Sequence, residues 1–186
     1  MANTATCPTL GGWNDSEQCL ENLAGMTEVM YVFEIGDLAS PLEATDNTYK
    51  IGKDSFKQGK GLKKYDLKEE SQKAASEGQG KRKGFNITFT TVIDAVNKAL
   101  GKESRALNNL NLGIILPDSN GEAQILYDPY KKVHATTFTS DTGAAASDDR
   151  VTTIEWQIGP VKYNALYVDL TTGDGVSSWD DLVATE

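Results

Sequence analysis

Histidine, cysteine and long apolar runs are all scarce in this chain, and each scarcity removes a class of function. One histidine and two cysteines stand among 186 residues. A zinc site needs three or four nitrogen or sulfur ligands, and His134 lies far in sequence from Cys7 and Cys19. No metal site is readable and no cofactor is implied. The longest apolar stretches, Val29–Phe33 and Gly113–Leu116, fall far short of the roughly 20 residues that span a bilayer, so membrane insertion is not expected. Met1–Thr6 has neither the basic nor the apolar region of a secretory signal, so the chain is expected to stay in the cytosol or to leave by another route. A cysteine pair in that setting reads as two free thiols sooner than as a disulfide.

Positive charge is also short, with 18 Lys and Arg against 27 Asp and Glu for a net charge of −9. It is unevenly placed. Residues 50–83 hold eleven basic and five acidic side chains, which leaves this stretch at +6 and the rest of the chain at −15. The stretch is rich in glycine and carries few large apolar residues beyond Phe56, Leu62, Tyr65 and Leu67, so it reads as a long inserted loop over about residues 48–84. Three roles compete for it: a solvated mobile loop, an arm docking on an acidic surface of another copy, or a nucleic-acid contact. The last is disfavoured because the acidic body repels phosphate and aromatic residues are sparse. The candidate contact residues are Lys53, Lys57, Lys60, Lys63, Lys64, Lys81, Arg82 and Lys83.

The remainder is patterned mostly as strand. Phe85–Thr90 and Ile154–Ile158 alternate apolar and polar residues, the mark of strands with one buried face. Glu28–Ile35 is apolar on both faces and reads as a covered central strand. Leu112–Leu116 and Glu122–Tyr127 flank a Pro-Asp-Ser-Asn-Gly turn and predict a hairpin. Lys132–Thr139 and Arg150–Ile158 predict a second, and Tyr163–Leu170 a further strand. Val92, Ala95, Val96, Ala99 and Leu100 recur at helical spacing, with Thr91 as a cap and Gly101 as a stop. Ser177–Leu182 could form a last turn of helix. The expected fold is α+β: one domain over 1–186, mainly an antiparallel β-sandwich or barrel-like body, with one flanking helix, an extended N-terminal segment 1–26 and the basic loop.

No catalytic constellation emerges. Asp141-Thr142-Gly143 matches the short aspartic-protease motif but follows Thr139 and Ser140, where that motif wants bulky apolar residues. Gly101-Lys102 resembles a fragment of a P-loop, yet Glu103 stands where Ser or Thr must reach magnesium. Residues 118–122 lack EF-hand spacing and read as a hairpin turn. His134 has no Ser or Cys nucleophile near it in sequence. Among Trp13, Trp156 and Trp179, Trp156 is assigned to the core. An acidic β-rich domain of this kind looks like an assembly part rather than an enzyme.

The stretch from Phe85 to Asp169 runs through an alternating strand (FNITFT), an apolar-striped segment (TVIDAVNKAL), the PDSNG turn, a Gly/Ala/Asp loop (SDTGAAASDD), the strand VTTIEWQI and the close GPVKYNALYV. This layout resembles the tail tube proteins of bacteriophages and the related tubes of contractile injection systems. The resemblance implies a virion structural protein of the tail, assembled in the host cytoplasm. Its domain would close into a hexameric ring, and stacked rings would make a tube through which DNA passes without specific binding. It also implies that the long loop reaches from one ring to the next, so deleting most of Thr48–Lys83 should leave the domain folded but unable to stack. The alternatives are another tail, connector or capsid decoration protein, or a β-sandwich module that binds carbohydrate or a cell surface.

Overall fold

The computed structural model describes residues 25–81, 83–119, 121–144, 148–172 and 175–184. In chain order the elements are β1 (Val29–Glu34), β2 (Ala44–Thr45), β3 (Thr48–Ile51), β4 (Lys63–Asp66), β5 (Lys73–Gly78), β6 (Phe85–Ile93), α1 (Lys98–Asn109), β7 (Leu112–Pro117), β8 (Ala123–Leu126), β9 (His134–Asp141), β10 (Val151–Val161) and β11 (Tyr167–Leu170). Short 3-10 turns follow at Ile35–Asp37, Lys53–Ser55 and Trp179–Leu182. Among the described residues the fold is mainly β, with two sheets and one α-helix.

The larger sheet has seven strands in the order β2-β3-β11-β8-β7-β1-β4, antiparallel except where β11 runs parallel to β3. The smaller sheet has four, in the order β5-β6-β10-β9, all antiparallel. Its inward row, Ile87, Phe89 and Ile93 with Ile154, Trp156 and Ile158, joins the inner rows of the larger sheet in one apolar core. Alternation alone places these residues, since successive strand side chains point to opposite faces. Trp156 can be fully buried because its indole N–H donates to Thr91 Oγ1 at 3.1 Å, and that hydroxyl in turn donates to the Ile154 carbonyl.

Strand β1 is buried on both faces, in agreement with its unbroken apolar pattern. Tyr31 and Phe33 point one way, Tyr31 onto the Trp179 ring and Phe33 into a chain of rings formed with Phe56, Tyr127 and Tyr49. On the opposite side the helix lies over the β1–β4 corner, where the Tyr65 hydroxyl donates to the Glu103 carboxylate at 2.8 Å. Both expected hairpins form, as β7–β8 and β9–β10.

Two expectations need correction. The stretch 48–84 is not one loop: it supplies β3 and β4 to the larger sheet and β5 to the smaller. Its few apolar residues are well placed, for Ile51, Phe56, Leu62 and Leu67 are all core. Deleting Thr48–Lys83 would therefore remove three strands and part of the core rather than a loop. The helix is also displaced. β6 continues through Ile93, and the helix starts after Asn97, whose side chain accepts the Leu100 N–H at 2.8 Å. Gly101, expected as a stop, lies inside it.

Candidate functional site

The eight candidate cations are dispersed. Lys53, Lys57 and Lys60 lie between β3 and β4, where the Lys57 ammonium donates to the Gly36 carbonyl and Lys60 pairs with Asp37 at 3.1 Å. Lys63 and Lys64 point to opposite faces of β4. Lys63 lines a cavity of about 240 Å³ between the helix and β1, whose walls include Val32, Tyr65, Leu107 and Leu110. Lys64 bridges to Asp180 at 3.1 Å, the same carboxylate that accepts the Tyr31 hydroxyl at 2.8 Å. That hydroxyl contact and then Lys64 hold the Asp180 carboxyl below the usual range, while burial pushes the Tyr31 hydroxyl well above its own. Lys81 and Lys83 stand exposed on the turn between β5 and β6, and Arg82 lies outside the described residues. Lys57, Lys60 and Lys64 are thus engaged by groups of their own chain, the last two by its carboxylates.

What the sequence reading missed is the state of the sheet edges. A free edge offers a row of unpaired N–H and C=O groups to another strand, and soluble proteins usually blunt it with charge, proline or brevity. The larger sheet does so. β2 is two residues long, β4 carries Lys63 and Lys64, and the approach to β4 is covered where Leu62 pairs with Val183. The smaller sheet does so on one side alone, where β5 carries Lys73 and Glu77. Among the described residues nothing pairs with the outer side of β5 or β9. β9, His-Ala-Thr-Thr-Phe-Thr-Ser-Asp, is eight residues long with no lysine or proline and one acid at its end. β5 presents mostly small side chains, Ala74, Ala75, Ser76 and Gly78. The face of this sheet turned from the core carries Thr88, Thr90, Thr137, Thr139 and Thr153, and Thr137 donates to Glu155 at 2.8 Å.

The enzyme-like motifs are placed as structural parts. Asp141 Oδ1 accepts the Gly143 N–H at 2.9 Å in an exposed turn. Gly101-Lys102 lies within the helix, where no loop of free N–H groups exists to cradle a phosphate. His134 is exposed at the start of β9. Among the described residues no three His, Cys, Asp or Glu side chains converge as a metal site, and no helix is long and apolar enough to cross a membrane. Cys7, Cys19 and Trp13 lie outside the described residues. A scan of protein-family models and searches of curated proteins and of solved structures find no match to this chain.

Proposed function

We propose that this chain is a structural subunit that assembles with its own copies into stacked rings, the hexameric rings of a bacteriophage tail tube, and that the tube is a conduit for DNA. The observation that supports this reading most is the pair of edges on one sheet that stand open among the described residues. β5 and β9 run in opposite directions, because three antiparallel steps separate them. Copies set side by side in one orientation therefore continue an antiparallel ladder, β9 of one against β5 of the next. Such a contact joins two different surfaces, so repeating it closes a ring or grows a filament. Main-chain pairing needs no particular side chain at the joint, which suits edges as plain as these.

In a ring closed this way the core-covered face turns outward with the larger sheet, and the threonine-rich face lines the opening. That face carries one lysine, Lys73, and so offers phosphate little to hold. The acidic balance of the chain acts in the same sense. A carbohydrate-binding module would need an aromatic platform; among the described residues Tyr130, 93% exposed, is the single large aromatic at the surface.

The test is Thr139→Lys, which sets a cation on the open edge. A surface change of this kind should alter stability by about 0.5 kcal/mol or less. Sedimentation velocity should then show loss of lateral association with an unchanged melting temperature. Association equal to that of the parent chain would overturn the edge contact.

A further inference from the structure

The register of the four-stranded sheet places opposite charges at its two ends. At one end lie the β5–β6 turn, the entry to β9 and the exit of β10, since Gly78 pairs with Phe85, Phe85 with Val161, and His134 with Gln157. The described charges there are Lys81, Lys83, Lys131, Lys132 and Lys162 against Glu77, Asp128 and Asp46, whose charge acts on Lys162. At the other end lie the β9–β10 turn, the exit of β6 and the approach to β5, since Asp141 pairs with Val151, Ile93 with Thr152, and Lys68 donates its N–H to the Val92 carbonyl. This end holds Asp94, Asp141, Asp148, Asp149, Glu69 and Glu70 against three cations: Lys68, which pairs with Asp149, Arg150, which donates to the Val96 carbonyl, and Lys73, the first residue of β5. β10 runs eleven residues between the two ends. At about 3.3 Å per residue they stand roughly 35 Å apart, several Debye lengths, so each presents its own sign to an approaching molecule.

We propose that this polarity is the axial connector of the assembly: the basic end of the sheet in one copy docks on the acidic end of the same sheet in the next. The partner is a second copy of this chain, and the inference rests on the stacked-ring reading above. It differs from the expectation of a single basic arm. The cations between β3 and β4 lie on the other sheet and take no part, while the described cations of the β5–β6 turn act with lysines that enter β9 and leave β10. Head-to-tail docking of unlike ends gives every layer the same orientation and suppresses inverted stacking, where like ends would meet.

The test uses two full-length variants. Lys81→Glu with Lys83→Glu makes both ends acidic, and Asp94→Lys with Asp149→Lys and Glu69→Lys makes both basic. Each alone should fail to elongate at low salt, while an equimolar mixture should elongate with alternating layers. Both variants remain net acidic, so bulk attraction between them cannot produce this. Circular dichroism melts establish that each is folded. If the parent chain elongates and either variant elongates equally well, the axial pairing is wrong and the ring reading stands. If the parent chain never associates, the ring reading fails. The mixture then decides the pairing by itself, because two folded variants that form no 1:1 complex in sedimentation equilibrium at low salt overturn it.

Discussion

The ring of Phe33 lies across Gly113, its cross-strand partner, so closely that a Cβ at position 113 would sit inside the van der Waals surface of the ring. Glycine is therefore required there by the packing of its neighbour, not by its own backbone. Phe33 is fully buried and meets Phe56 and Tyr127 with ring centroids 6.0 Å away in each case, so it cannot swing aside without breaking the aromatic chain. Gly113→Ala should cost about 1–3 kcal/mol, the usual penalty for overfilling a packed core. Urea denaturation should show a lower midpoint at unchanged slope.

Gly101 carries the opposite expectation. It is exposed inside α1, and a Cβ there meets nothing within 4 Å. Gly101→Ala should stabilise the chain by about 0.5–1 kcal/mol, because alanine has less backbone freedom to lose. Asn97→Ala should cost about 1 kcal/mol by removing the cap on the Leu100 N–H. Thermal melts of the two variants should move in opposite directions.

Asp181 sets an acid limit on the C-terminal turn. Its carboxylate accepts the backbone N–H and the hydroxyl of both Ser177 and Ser178 at 2.8–3.0 Å, and these bonds hold its pKa down to about 2. A depressed folded pKa means that the turn gains stability from the charged carboxylate above the unfolded value near 4, and loses it as the pH falls from there toward 2. Trp179 lies in this turn, 6.2 Å from the Tyr31 ring, and reports on it. Tryptophan emission should shift between pH 4 and pH 2, and Asp181→Asn should lack that step.

Much of the fold was legible because period-2 patterns are decisive when one face is buried. β7, β8, β9, β10 and the first part of β6 lie where their patterns and turn residues put them, and the all-round apolar run of β1 correctly marks a strand covered on both sides. The helix was misplaced because Val92, Ala95, Val96, Ala99 and Leu100 satisfy helical spacing by chance. Ile93 continues the inward row of β6, and tertiary burial decided between the two periods. The basic stretch has the composition of a loop for a related reason. β4 and β5 are edge strands, and edges carry the lysines and small residues that mimic loop composition. The open edges and the polarity of the smaller sheet depend on strand order and register. They rest on the β6–β10 pairing, which joins residues 59 to 76 positions apart and leaves no local mark.

The most direct measurement is negative-stain electron microscopy of the purified full-length chain, with light scattering followed at low and high salt. Hollow rings or tubes that shorten as salt rises are the expected result. A monodisperse monomer at every concentration and ionic strength would contradict the account.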